Sequence, residues 1–265
     1  MLEKSSTFDH HGRIGSIEIE NLSRSFGKRK VLDSLNITIG RGEMVALLGS
    51  SGAGKSTLLR QIAGLAASDT GSGGIRVSGR TVQGGGRVSR DIRQQRAGIG
   101  FIFQQFNLVD RMSLLMNVLV GHLANMPIHR RMLRLFHHGE KLAAMQALDF
   151  VGLAEHAMQR ASTLSGGQQQ RAAIARTIVQ GAPVILADEP VASLDPESAR
   201  LVMQGLRDMN QQEGVTVLVS VHQIDHAKRS CDRAIALQDG RVYCDCPVSE
   251  LREFDLDQLY QKRIA

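Results

Sequence analysis

Eight residues, Gly49-Ser50-Ser51-Gly52-Ala53-Gly54-Lys55-Ser56, constrain this chain more than any other feature. They fit the pattern GxxxxGK[ST] and follow the continuous apolar run Met44-Val45-Ala46-Leu47-Leu48, which reads as a buried strand. A helix is expected over about 55–67, with Thr57 in its first turn. Glycines let a backbone fold round an anion with no Cβ in the way, so that successive N–H groups point inward. The start of the following helix adds the positive end of its dipole. In such a loop Lys55 reaches the β and γ phosphates of a nucleotide, and the Ser56 hydroxyl is a ligand for Mg²⁺.

A second apolar run, Val184-Ile185-Leu186-Ala187, ends in Asp188, Glu189 and Pro190. A carboxylate at the C-terminal end of a buried strand lies where open α/β sheets bind ligands. Asp188 is predicted to hold Mg²⁺, and Glu189 to orient or deprotonate an attacking water, which implies hydrolysis of ATP rather than binding alone.

The rest of the chain reads as strands alternating with helices, the signature of a mostly parallel sheet covered on both faces. Alternation begins at Ile17 and resumes over 31–39 after a turn at Ser25-Phe26-Gly27-Lys28. Residues 70–90, rich in glycine, are expected to form loops and a short hairpin, most flexible at Gly84-Gly85-Gly86. Strands are expected over 98–104 and 215–221, a helix from Pro196, and a closing strand and helix running to Ala265. Over about 106–175 glycine thins out and apolar residues recur at helical spacing, which predicts an inserted helical subdomain. Residues 1–16 are read as a polar, flexible extension and no secretory signal. No stretch approaches the ~20 apolar residues of a membrane-spanning helix, so work at a membrane implies docking. The three cysteines form no disulfide framework, and a net charge of +6 is taken as a solvated surface with no nucleic acid expected.

Leu164-Ser165-Gly166-Gly167-Gln168 decides the class. A Ser-Gly-Gly turn opening a helix is a second anion cradle in a chain that already has one. Here the sequence resembles the ABC ATPase family, in which this signature contacts the γ-phosphate bound to the other subunit. The resemblance, over about 17–242, implies a P-loop NTPase cassette: an N-terminal antiparallel β subdomain, a mostly parallel core sheet and the inserted helical subdomain. It also implies that Phe26 stacks on adenine, that Gln104 senses Mg²⁺ and the attacking water, that Asp195 lies at the seam between two cassettes, and that His222 is the switch histidine on the γ-phosphate.

Within that family, Val191-Ala192-Ser193-Leu194-Asp195-Pro196, Gln168-Gln169-Gln170-Arg171 and His222-Gln223 are similar to the ATPase subunit of phosphonate importers. The implied assembly is a homodimer of ATPase subunits under integral membrane permease subunits, reached indirectly by a substrate-binding protein and placed at the cytoplasmic face of the inner membrane. An accessory subunit of a soluble phosphonate-degrading complex is the alternative. A chromosome-maintenance or ribosome-acting ATPase would show a long coiled coil or a second cassette, and this sequence has neither.

Overall fold

A computed structural model describes residues 16–251. The expectations for residues 1–15 and for a helix closing the chain at Ala265 lie outside the described residues. The first strands, β1 (Ile17–Phe26) and β2 (Arg29–Ile39), form an antiparallel ribbon joined at Gly27, whose φ of 59° suits a residue without Cβ. Next come β3 (Met44–Leu48) and α1 (Lys55–Ile62). The helix stops short of the expected 55–67 because Gly64 adopts φ 63° and breaks it.

The glycine-rich segment is more regular than its composition suggests. It forms β4 (Gly74–Val77), β5 (Arg80–Gly84) and β6 (Arg87–Val88), which extend the ribbon into a five-stranded antiparallel sheet ordered β2-β1-β4-β5-β6. Glycine is present for close approach: a Cβ on Gly73 would stand 1.8 Å from the Glu20 carbonyl oxygen, and one on Gly86 2.8 Å from that of Asp69. The Gly85 N–H is likewise bonded to the Ser72 carbonyl at 3.1 Å, so this turn is tied down.

Helix α2 (Ile92–Ala97) leads into β7 (Ile99–Ile102). The helical segment then comprises α3 (Leu114–Leu119), α4 (Ile128–Leu133), α5 (His138–Phe150) and α6 (Gly166–Gln180), with short 3₁₀ turns between them. Helix α6 runs past residue 175 and ends at Gly181, φ 65°. After it come β8 (Val184–Asp188), α7 (Pro196–Glu213), β9 (Thr216–Ser220), α8 (Ile224–Ser230), β10 (Arg233–Gln238) and β11 (Arg241–Pro247). The closing region thus holds two strands where one was expected.

The second sheet has the order β11-β10-β3-β9-β8-β7, parallel throughout except for the antiparallel edge strand β11. Every residue of β3, β8 and β9 is buried, as a parallel sheet covered on both faces demands. One core cluster joins one face of these strands (Met44, Ala46, Ile185, Val217) to the helical segment and α7. Another joins the opposite face (Val45, Leu47, Leu186, Leu218) to α1 and the antiparallel sheet. Because the strand ends are locked from both sides, the loops at their C-terminal edge are held firmly.

Candidate functional site: a nucleotide cavity and a detached second cradle

The loop between β3 and α1 needs its glycines for specific reasons. Gly49 has φ 145° and a Cβ there would lie 2.5 Å from the Leu237 carbonyl oxygen; Gly54 has φ 104° and its Cβ would lie 2.8 Å from that of Val31. Lys55 is buried, and its ammonium donates to the Gly49 carbonyl at 2.8 Å and the Ser50 carbonyl at 3.3 Å. Burial pushes this ammonium below the ordinary lysine range, with the charges of Glu189 and Asp188 opposing the shift. The side chain is folded back on the loop it would leave to meet a phosphate.

Parallel pairing sets Asp188 beside Ser220, and the two are hydrogen-bonded, Ser220 Oγ donating to Asp188 Oδ1 at 3.2 Å. The same oxygen accepts from Ser56 Oγ at 2.8 Å, so the loop and the strand end are joined. Asp188 is only 3% exposed. Glu189 follows with φ 48°, a conformation that costs a residue with a Cβ about 1–2 kcal/mol. Its N–H donates to Ser220 Oγ at 2.8 Å, which fixes the turn, and its Oε1 lies 2.6 Å from His222 Nε2 and 3.9 Å from Lys55 Nζ.

Lys55, Ser56, Glu189 and His222 open on a cavity of about 410 Å³, lined also by Phe26, Arg29, Ser51, Gly52, Thr57 and Gln104, while Asp188 lies buried behind Ser56. Phe26 is 54% exposed, and the Arg24 guanidinium lies 4.7 Å from its ring centroid without lining the cavity. Gln104 lies just past the end of β7.

Ser165, Gly166, Gly167, Gln168 and Asp195 do not line this cavity. They form a cluster of their own. Ser165 caps α6, its hydroxyl accepting from the Gln168 N–H at 3.3 Å while Gln168 Oε1 accepts from the Ser165 N–H at 2.8 Å. Asp195 caps α7 by accepting from the Ser198 N–H at 2.9 Å, and these hydrogen bonds to Ser198 hold its carboxyl below the usual carboxylate range. A Cβ on Gly167 would stand 2.4 Å from Ser198 Oγ, so the two capped helix starts touch.

Three residues in this architecture have no motif to announce them. Ser220 links Asp188 to Glu189, and its one signal is a hydroxyl at the C-terminal end of a strand whose preceding three residues are apolar. Arg29, at the start of β2, reaches Gly52 O with Nη2 at 3.4 Å and lines the cavity. His156 Nε2 lies 3.2 Å from Gln168 Nε2.

Among the described residues, no group of three or more His, Cys, Asp or Glu side chains is placed to hold a metal alone. One carboxylate, Asp188, and the Ser56 hydroxyl beside a phosphate loop fit Mg²⁺, a hard cation usually bound through substrate phosphates and few protein oxygens.

Residues 32–192 match the family model described as ABC transporter. The chain is 56% identical to the phosphonates import ATP-binding protein PhnC 1 of Cupriavidus metallidurans, over 92% of this chain and 87% of that protein. It is 53% identical to PhnC of Escherichia coli O157:H7, over 92% of this chain and 93% of that one. Among solved structures, the dimeric bacterial ABC transporter cassette MJ0796 matches with a TM-score of 0.77 and 32% identity, over 88% of this chain and 98% of that one. CbiO1 of Clostridium perfringens, part of the ABC transporter complex CbiONQ, matches with a TM-score of 0.77 and 28% identity, over 92% and 93%. The phosphate loop on an α/β core, the detached second cradle and these likenesses lead to one conclusion: this chain belongs to the ABC transporter family and has the P-loop ATPase cassette fold.

Proposed function

We propose that the chain is the ATP-hydrolysing subunit of a phosphonate importer and works as a homodimer. The observation that carries this reading is the separation of the two anion cradles: one borders the cavity with Lys55 and Glu189, while the Ser165 turn does not. Two copies arranged head to tail bring each Ser165 turn to the other's cavity, and the relative MJ0796 is described as dimeric. The cargo is taken from relatives named for phosphonate import.

In this reading the adenine stacks on Phe26, whose ring is exposed to the cavity. The phosphates lie in the backbone cradle of Gly49, Ser50, Ser51, Gly52, Ala53 and Gly54, extended by the first-turn residues Ser56 and Thr57. Lys55 exchanges the carbonyls of Gly49 and Ser50 for the β and γ phosphates. Ser56, Asp188 and Gln104 hold Mg²⁺, which when bound neutralises phosphate charge. Glu189 Oε1 accepts a hydrogen bond from the attacking water and draws off its proton, while His222 orients that carboxylate and meets the γ-phosphate. Ser165, Gly166, Gly167 and Gln168 of the partner close the site, with Asp195 at the seam.

No helix among the described residues is long and apolar enough to cross a membrane. In the proposed assembly the subunit docks peripherally under permease subunits at the cytoplasmic face of the inner membrane, and the substrate-binding protein reaches it only through them. The test is to purify the chain from detergent-solubilised membranes and to measure its ATPase in proteoliposomes. A co-purifying permease and stimulation by phosphonate over phosphate are expected. Co-purification with a soluble phosphonate-degrading enzyme instead would overturn the assignment.

A further inference from the structure

Among the described residues, the corner made by α4 and the turn after it exposes four large apolar side chains within eight positions: Ile128 at 65%, Met132 at 78%, Leu133 at 68% and Leu135 at 54%. Single exposed apolar residues are ordinary, whereas such a cluster marks a contact surface. Its charge is one-sided. From Arg111 to Gly139 the sequence contains no Asp or Glu, but it contains Arg130, Arg131, Arg134, His129, His137 and His138 close to these apolar groups.

The corner is also built rather than loose. Arg130 Nη2 donates to Glu140 Oε2 at 2.6 Å and to the Leu135 carbonyl at 2.9 Å, which pins the turn to the start of α5. The same Glu140 oxygen accepts from the His137 N–H at 2.7 Å. The nearest acid in the sequence is therefore consumed by the scaffold, and the guanidinium groups of Arg131 and Arg134 are exposed with no ion-pair partner among the described residues.

We infer that this corner rests on the membrane surface and takes anionic phospholipid headgroups, with Met132 and Leu133 entering the acyl boundary and Arg131 and Arg134 meeting the phosphates. Apolar tips beside unpaired guanidinium groups complement an anionic bilayer, which attracts basic residues and accepts apolar ones without a preformed groove. The corner lines neither the nucleotide cavity nor the larger one beside α7 and α8, so neither of these grooves marks it for a particular peptide segment. Nucleic acid would reward the arginines but not the exposed methionine and leucine. The inference rests on the reading of a peripheral membrane subunit and adds a lipid anchor to the permease.

The experiment uses the full chain with vesicles of phosphatidylcholine alone or mixed with phosphatidylglycerol, separated by flotation. Binding only to the anionic vesicles, weakening as salt is raised, is expected. R131Q/R134Q should reduce partitioning about thirtyfold, since each basic residue at an anionic surface contributes about 1 kcal/mol. M132S/L133S should reduce it too, and both variants should keep wild-type ATP hydrolysis, which shows that they fold. Equal binding to both vesicle types, no binding, or wild-type binding by the variants would overturn the inference. So would loss of permease co-purification with vesicle binding intact, which would make the corner a protein contact. A wild-type chain that brings down permease yet ignores vesicles sinks the lipid anchor alone; the reverse pattern sinks the importer reading alone.

Discussion

His222 Nε2 lies 2.6 Å from Glu189 Oε1, and the same carboxylate oxygen approaches the Lys55 ammonium to 3.9 Å. The base proposed to activate water is thus held between the proposed phosphate sensor and the lysine proposed to bind the phosphates. Replacing the carboxylate by an amide of the same shape keeps this packing and removes the proton acceptor. Glu189→Gln is expected to bind ATP as the parent does while turnover drops by about 10²–10⁴-fold. Measured side by side, fluorescent-nucleotide binding and phosphate release decide the matter, and turnover near that of the parent would remove Glu189 from the role.

Stability at alkaline pH should carry the mark of one buried thiol. Burial pushes Cys231 from 9.0 up to about 12, the neighbouring Asp232 carboxylate adding to the shift while Arg207 opposes it. Folding therefore favours the neutral thiol. That contribution is complete below the unfolded pKa near 9 and is lost as pH rises through the folded value, so stability should fall between about pH 9 and 12. The slope from this group is at most about 1.4 kcal/mol per pH unit. Cys231→Ala should flatten the profile in that window and leave it unchanged between pH 6 and about 8. Parallel urea-midpoint profiles for the two proteins would contradict the assignment.

What could be read from the sequence and what could not divides along the range of the physics. Gly49, Lys55, Asp188 and Glu189 lie in local patterns, a loop after an apolar run or a carboxylate at its end, and the fold gathers them by placing the C-terminal ends of β3 and β8 on the same edge of the sheet, with β9 between them. Ser220, Arg29 and His156 acquire their places only through tertiary register: β8 against β9, the ribbon against the loop, and a 3₁₀ turn against α6. No local pattern contains that information. The short hairpin expected within 70–90 is present as β4 and β5, but the reason for Gly73 is again tertiary. Locally glycine means freedom, but at Gly73 it means that the Glu20 carbonyl passes where a Cβ would be.

The His156 contact has a consequence of its own. Because Gln168 Nε2 donates, His156 Nε2 accepts, and this bond steadies the amide that holds the Ser165 N–H. A neutral hydrogen bond contributes about 0.5–1.5 kcal/mol. His156→Ala should therefore weaken ATP-driven dimerisation of the Glu189→Gln protein by about two- to tenfold. ATP binding to the phosphate loop, which belongs to the other half-site, should not change. His156→Gln supplies an acceptor again and should recover part of the loss. Sedimentation in the presence of ATP reads the dimer, and a uniform drop in both binding and dimerisation would show general unfolding instead.

Gly167 provides the sharpest test of the second cradle. A Cβ built there meets Ser198 Oγ at 2.4 Å and Ser198 Cβ at 2.8 Å. Rotating the serine relieves the first contact but not the second, because its Cβ is fixed by the α7 backbone. The starts of α6 and α7 must part, and the Ser165 turn and Asp195 move with them. Gly167→Ala is expected to lower turnover by at least about 10²-fold, the scale of losing an oriented transition-state donor. Nucleotide binding by Lys55 and its loop should persist. Ser198→Gly removes both opposing atoms, so the double variant should regain much of the activity even though glycine weakens the helix start. A gain in the double variant over Gly167→Ala measures coupling between two touching residues. Its absence would mean that Gly167 acts on the nucleotide site by a route other than this contact.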